Sequence, residues 1–493
     1  MKEKQNSTAN NRLKRELSAR HLTMIGIGGS IGTGLFVGLG FNFTSAGPGG
    51  ALVAYLIMGI TVYFMMNSLG EMSAYMPVSG SFAEYCTRFV DPALGFSIGF
   101  SYWFSWPVVI GSELVASVMV LRYWIPGINP IVSALIMLAL LYALNVLSAK
   151  GYGEGEFWFA LIKVVTIIIF LILGVLMILG IVGGESPGFD NWTSGEAPFV
   201  GGGIGVLTCF LLAGYSFQGT EALGIASGES ENPGKAMPKA IKSVFWRIFL
   251  FYIGTTIVIG FLVNYQDPSL AKSGVENIAY SPFTLVFERA GLAVAASFMN
   301  AVVLTALLSA GNAGMYLGSR LLCSLAEKNQ APKYFAKINR RGIPLRALNL
   351  TAIIAAVCFA LTEVGLNTAY YWLMNIAAVP GFAVWFGIAI SHYYFRKAYL
   401  AQGNRLEDLK FKAKFYPFGP IFACVVCVLI IIGQYYANAD FSIVGLLVAY
   451  SGLMLIVVLY IGYKVIKKTK RVKPEEADLT FYDDRLIKEK EEA

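Results

Sequence analysis

The sequence predicts an all-α membrane protein with twelve transmembrane helices. Hydrophobic residues make up 56% of its 493 residues, and the mean hydropathy is +0.62. Charged residues make up only 14%, against about 25% in typical soluble domains. Apolar runs long enough to span a bilayer recur along almost the whole chain. A soluble chain of this length could not hide so much apolar surface in one core, whereas lipid tails solvate it.

A spanning helix needs about 20 mainly apolar residues. The runs fall at 22–41, 49–74, 96–124, 127–148, 156–183, 203–227, 243–264, 283–312, 347–365, 368–395, 418–437 and 441–464. The longest, 96–124 and 283–312, imply tilt or extension past the lipid. Basic residues set the orientation. Lys2, Lys4, Arg12, Lys14, Arg15 and Arg20 precede the first span, and Lys235, Lys239 and Lys242 follow the sixth. Lys328, Lys333, Lys337, Arg340 and Arg341 follow the eighth, whereas the opposite loops carry only Lys272. This alternation places both termini in the cytoplasm of a cell-membrane protein. The expected organisation is a cytoplasmic segment 1–21, a transmembrane domain 22–465 and a mobile, mixed-charge cytoplasmic tail 466–493.

Several functions are disfavoured by composition. The basic residues behind the net charge of +8 sit between hydrophobic runs and form no single stripe, so nucleic acid is not an expected partner. His21 and His392 lie far apart, and Cys424 and Cys427 form a CxxC inside an apolar stretch; neither pattern suits a metal or redox centre. The first twenty residues contain no apolar stretch of the kind that precedes a cleavage site, so no removable signal peptide is expected. No Walker motif or HExxH occurs, which argues against direct nucleotide drive and against an enzyme. No cofactor is expected.

Two spans contain segments that make poor helix. Span 1 has five glycines in the nine residues Gly26 to Gly34, and each costs about 1 kcal/mol relative to alanine. Span 6 carries Gly214-Tyr215-Ser216-Phe217-Gln218-Gly219-Thr220-Glu221. Unwound backbone inside a membrane is tolerated only where protein or a water-filled cavity surrounds it. The two passages begin 186 residues apart, at Gly28 and Gly214, and each opens a set of five spans. Corresponding breaks in two halves point to an inverted 5+5 repeat with a midplane binding site. The halves are 22–183 and 203–395, followed by two further helices in 418–464.

The breaks also suggest a ligand. A broken helix presents N–H groups at one half and carbonyls at the other. The first suits a carboxylate and the second an ammonium group, and a zwitterionic amino acid carries both on one carbon. The candidate binding residues are Gly28, Gly29, Ser30, Ile31, Gly32, Thr33 and Gly34 on span 1, and Tyr215, Phe217, Gly219, Thr220 and Glu221 on span 6. Close helix packing is the competing account of the glycines, but they are denser than packing requires. Three ionisable residues fall well inside spans: Glu113, Glu221 and Lys163. Such charges face a cavity or a partner. The carboxylates suit a cationic group or a proton, and Lys163 suits a proton relay or a structural charge. At Glu229, on the cytoplasmic end of span 6, a gate salt bridge and a solvated charge are equally open.

The chain resembles the bacterial amino-acid permeases in Arg15-Glu16-Leu17-Ser18-Ala19-Arg20-His21-Leu22-Thr23-Met24, in the Gly-Gly-Ser-Ile-Gly-Thr-Gly that follows, in Gly70-Glu71-Met72, and in Ser216 to Glu221. Gly224 to Glu231 and Ser309 to Tyr316 continue the likeness, which covers nearly the whole chain and is greatest to lysine-specific permeases. It implies the amino acid–polyamine–organocation superfamily, a leucine-transporter fold and proton-coupled uptake by alternating access. It further implies that 28–34 holds the substrate carboxylate, that 217–220 helps hold the amino group, and that Lys163 fills the place of a sodium ion. Two departures stand out. Glu113 replaces an aspartate, and Asn375-Ile376-Ala377-Ala378-Val379-Pro380 replaces a more polar stretch. Both places bear on the substrate side chain, so Asn375 joins the candidates. The expected function is import of a basic amino acid, lysine first and histidine or arginine next. A permease for a neutral amino acid and a channel-like conductor are the alternatives. The expected partners are the amino acid, protons and the lipid bilayer; monomer and dimer are equally open.

Overall fold

The computed structural model describes residues 17–480, apart from 29–30, 37, 79, 148, 231–232, 273–279, 293, 361–364 and 438–442. Among the described residues the regular structure is helical, and nine helices are long and apolar enough to cross a membrane by length and composition. Two shorter apolar helices, Leu345–Ala360 and Phe418–Gln434, accompany them.

The chain opens with α1 (Ala19–Gly28), a short α2 (Thr33–Phe36) and the long α3 (Gly38–Tyr75). The run 22–41 is therefore interrupted within itself. It also continues without a loop into the next run, because α3 bends at Gly47 (φ 71, ψ 178), just before Pro48. Glycine reaches that conformation without strain, and proline cannot donate to the helix ladder. The disturbed backbone finds partners nearby: the N–H groups of Gly49 and Gly50 donate to Pro198 O at 2.9 and 3.2 Å.

A short α4 (Ser81–Phe89) leads to α5 (Pro92–Leu121), which starts cleanly because Asp91 accepts from the Ala93 N–H at 2.8 Å and Pro92 occupies the first turn. Then follow α6 (Pro130–Leu147), α7 (Ala149–Ile178), α8 (Gly202–Phe217) and α9 (Ala222–Ala226). Next, α10 (Pro233–Arg247) passes through a π-helical turn, Ile248–Gly254, into α11 (Thr255–Leu262).

The expected span 283–312 is two helices, α12 (Pro282–Arg289) and α13 (Ala295–Glu327). The chain turns at Gly291 (φ 92), and α13 runs well past 312 because the polar Asn312, Ser319 and Arg320 are buried against protein. The last helices are α14 (Leu345–Ala360), α15 (Leu366–Ala401), α16 (Phe418–Ala437) and α17 (Ile443–Lys467).

Helix α5 is the most enclosed and packs on α13, α14 and α15. A second group forms as α3 packs on α8 and α10, and α1 on α10. α7 touches both groups, through α1 and α13. The outer helices expose long apolar side chains, such as Ile168, Ile172 and Val175 on α7 and Val457, Val458 and Val465 on α17, as lipid-facing surfaces must.

The tail differs from the mobile segment expected, at least as far as residue 480. Val472 N–H donates to Val90 O at 2.9 Å, Gln402 Nε2 to Ala477 O at 2.7 Å and Tyr75 Oη to Leu479 O at 3.0 Å. Arg88 pairs with Asp478 at 3.1 Å. Polar backbone laid along helix ends is held by these partners rather than by solvent. The rest of the tail, 481–493, lies outside the described residues.

Candidate functional site

The two glycine-rich passages are both interrupted, and they meet. In the first, α1 stops at Gly28, Ile31 and Gly32 are non-helical, and α2 starts at Thr33. In the second, α8 stops at Phe217, Gln218 is extended (φ −62, ψ 150) and Gly219 has φ 93 before α9 begins. A Cβ at Gly34 would lie 2.8 Å from the Ser216 Cα, closer than real carbon atoms approach. Glycine at 34 therefore lets the second half of the first broken helix touch the end of the first half of the other.

A cavity of about 820 Å³, counting its mouth, lies between these breaks and α5, α7, α13 and α15. Ile31, Gly32, Gly34, Tyr215, Gln218, Gly219 and Glu221 form the break-side wall. Tyr102, Ser105, Trp106, Val109 and Glu113 line it from α5, Tyr152 and Lys163 from α7, and Ala313 and Ala377 from α13 and α15.

A buried charge cluster stands at one side. Lys163 Nζ donates to Ser309 Oγ at 2.9 Å, Ser309 Oγ donates to Glu156 Oε1 at 2.7 Å, and Lys163 lies 4.0 Å from that same carboxylate oxygen. Glu156 and Lys163 are seven residues apart on α7, two helical turns, so they share a face. Both are 1% exposed. Burial at that level is tolerable only for charges with partners. Glu113 faces the same cavity, is 6% exposed, and its Oε2 has no hydrogen-bond partner among the described residues.

Glu221 is held differently. Tyr102 Oη donates to its Oε1 at 2.5 Å and Trp385 Nε1 to its Oε2 at 2.9 Å, while the Gly219 N–H donates to Oε1 at 3.2 Å. The carboxylate thus ties the second break to α5 and α15. Next to it, Thr220 Oγ1 donates to Phe217 O at 2.6 Å and accepts from Arg247 Nη2 at 2.8 Å. Gln218 Nε2 anchors the same turn to Ala378 O at 2.9 Å.

Tyr152 in the cavity wall stacks on Tyr316 at 3.9 Å and 5°. The Arg320 guanidinium lies 4.1 Å from the Tyr316 ring, and its Nε donates to Glu229 Oε1 at 2.9 Å. The Leu17 N–H donates to Glu229 O at 3.0 Å, and Arg20 and His21 both pair with Glu154. This layer is buried at the end of the molecule that carries residue 17, and Glu229 is part of a buried ion pair rather than a solvated charge.

The expected residues therefore divide. Ile31, Gly32, Gly34, Glu113, Lys163, Tyr215, Gly219 and Glu221 share the cavity. Phe217 is not among the cavity wall residues; its ring packs 4.0 Å from Tyr252. Thr220 supports the break from behind, and Asn375 sits on α15 two residues before the lining Ala377. Gly28 is the last residue of α1, Thr33 the first of α2, and Gly29 and Ser30 lie outside the described residues. Sequence reasoning passed over Glu156, Gln218, Arg247, Ser309 and Trp385. The seven-residue spacing to Lys163 could have flagged Glu156. Arg247, in Phe245-Trp246-Arg247 at a span edge, carried no signal that its side chain turns inward.

The chain matches the family model described as Amino acid permease over residues 21–475. It belongs to that family, and is a multi-pass membrane transporter of amino acids rather than an enzyme. Among curated proteins it is 49% identical over 470 residues to the lysine-specific permease LysP of Escherichia coli (strain K12), which covers 94% of this chain and 96% of that one. It is 44% identical over 487 residues to LysP of Lactococcus lactis subsp. cremoris (strain MG1363), covering 97% and 95%. The histidine permease HisP of the same organism is also 44% identical, over 477 residues, covering 95% and 98%.

Proposed function

We propose that this chain is a proton-coupled importer of a basic amino acid, lysine first and histidine or arginine next, working by alternating access in the cell membrane. The observation that carries the reading is Glu113, a buried carboxylate with an oxygen unpartnered among the described residues, facing a cavity bounded by two broken helices. A zwitterion fits the breaks, with its carboxylate at the N–H end near 32–34 and its ammonium group near the carbonyls of 217–219. The cationic side chain then reaches toward Glu113. The names of the lysine and histidine permeases among the relatives support a basic substrate.

In this reading the chain crosses the membrane twelve times. Repeats 22–183 and 203–395 are inverted, 418–464 adds two helices, and both termini are cytoplasmic. Helices α1–α3 and α8–α11 rock against α5, α6, α7, α13, α14 and α15. The Glu229–Arg320 layer is the cytoplasmic gate. Lys163 carries the coupling charge: Glu156 and Ser309 hold it when the cavity is closed, and proton exchange there alters how α7 grips the break in α1–α2.

The test is uptake into proteoliposomes under an imposed inward proton gradient, with each of the twenty amino acids as competitor. Lysine, histidine or arginine should compete best, and uptake should collapse with the gradient. Preferential competition by neutral amino acids, or unitary currents, would overturn the reading.

A further inference from the structure

The segment between α15 and α16 has a two-residue alternation that the transport cavity does not explain. Leu409 and Ala413 are buried and Phe411 is half-buried, while Lys410, Lys412 and Lys414 are exposed. The segment thus lies on protein with its three lysines toward solvent, and it turns from 414 onward, where Phe415 is left-handed (φ 61). Among the described residues, none of the three lysines has an ion pair. Phe415 and Phe418, which follow, are 61% and 60% exposed, at the point where the apolar α16 begins. Both rings lie 5.8 Å from Phe64 on α3. A row of cations beside outward-facing aromatic rings at the mouth of a spanning helix complements an anionic lipid surface, rings at the level of the headgroups and ammonium groups against the phosphates.

The inner side of the same segment touches both α3 and α15. Phe411 packs against Gly70 on α3. The Ala413 N–H donates to Glu71 Oε2 at 2.5 Å, and Ala413 O accepts from Arg396 Nη2 at 3.1 Å. Glu71 and Arg396 form a two-pronged buried pair, with both bonds at 2.6 Å, that joins α3 to α15. Arg396 also lies 4.7 Å from the Tyr416 ring. The segment is thus pinned to this clasp.

We propose that the segment 409–415 is a binding site for anionic phospholipid headgroups, and that its occupancy steadies the Glu71–Arg396 clasp between α3 and α15. The lipid site takes from the preceding reading only that α16 spans the bilayer; the coupling to uptake also rests on the motion of α3 against α15. Three cationic contacts in a row give selectivity for a charged headgroup over a zwitterionic one, and the flanking rings require that the anion carry acyl chains.

The test uses the full chain in detergent and follows its melting temperature as phosphatidylglycerol, phosphatidylcholine or inorganic phosphate is added. Phosphatidylglycerol should raise it; the other two should not. In K410Q/K412Q/K414Q the phosphatidylglycerol needed for a half-maximal shift should rise at least about tenfold. The equally charge-depleted K333Q/K337Q/R341Q, altered at a different exposed basic loop, should respond like wild type. In proteoliposomes, wild-type uptake should grow with the phosphatidylglycerol fraction and that of K410Q/K412Q/K414Q should not. An unchanged lipid response in K410Q/K412Q/K414Q, or a shift reproduced by free phosphate, would overturn the lipid site. Lipid binding with no dependence of uptake on phosphatidylglycerol would overturn the coupling to the clasp.

Discussion

Arg320 on α13 donates its Nε–H to the Glu229 carboxylate at 2.9 Å, and both side chains are 1% exposed. The pair joins the segment just after α9 to a helix of the other group, next to the Tyr152–Tyr316 stack that borders the cavity. Removing one member of a buried pair leaves the other charge stranded, at about 3–5 kcal/mol. Glu229→Gln should therefore lower the melting temperature and loosen the packing around Leu17. A cysteine placed at Leu17 should then react faster with a membrane-impermeant thiol reagent from that side. Unchanged reactivity together with unchanged melting would show that the pair does not hold the gate.

Glu113 predicts substrate selectivity. A hydrogen bond to a charged group contributes about 1.5–3 kcal/mol, roughly tenfold to a hundredfold in affinity. Glu113→Gln should weaken lysine binding by that factor and leave the binding of a neutral amino acid of similar length nearly unchanged. Normal lysine and histidine affinities in this variant would remove the side-chain role.

Lys163 predicts coupling. With internal pH fixed, wild-type uptake should rise as external pH falls, because protons then flow inward with the substrate. Lys163→Gln should abolish that dependence while substrate binding in detergent survives. A variant whose uptake keeps the wild-type pH profile would exclude Lys163 from the proton path.

Gly34 predicts steric intolerance. Its missing Cβ is the space that Ser216 occupies, and overfilling a packed contact costs about 1–3 kcal/mol. Gly34→Ala should fold, melt earlier and transport poorly. The same change at Gly32, where an added Cβ would meet nothing within 4 Å, should perturb the packing far less. Equal effects at the two positions would mean that the close approach of the breaks is unimportant.

Rocking of one helix group against the other predicts sensitivity to crosslinks. Engineered cysteines that join α1 to α7 should stop uptake on oxidation and release it on reduction. Uptake that persists in the crosslinked protein would rule out this relative motion.

Much of the architecture could be read from residue patterns because lipid imposes a simple rule: a segment must be apolar for about 20 residues to cross. The run 418–437 coincides with α16, and the runs 127–148 and 441–464 lie within a few residues of α6 and α17. The rule weakened where helices are shielded from lipid. There α13 keeps its polar residues inside protein and outruns its apolar stretch, while a turn at Gly291 divides the run that precedes it. The two breaks were legible because glycine density is a local property, and Glu113 and Lys163 because a charge in an apolar run is conspicuous in one dimension.

Pairings belong to the folded chain alone. Glu229 and Arg320 are 91 positions apart, Lys163 and Ser309 are 146 apart, and Glu71 and Arg396 are 325 apart. Nothing local in the chain selects these partners. Composition and periodicity were enough to determine a helical membrane transporter with two interrupted helices. Which charges face each other, and which side chains line the cavity, depended on helix packing that brings remote side chains within hydrogen-bond reach.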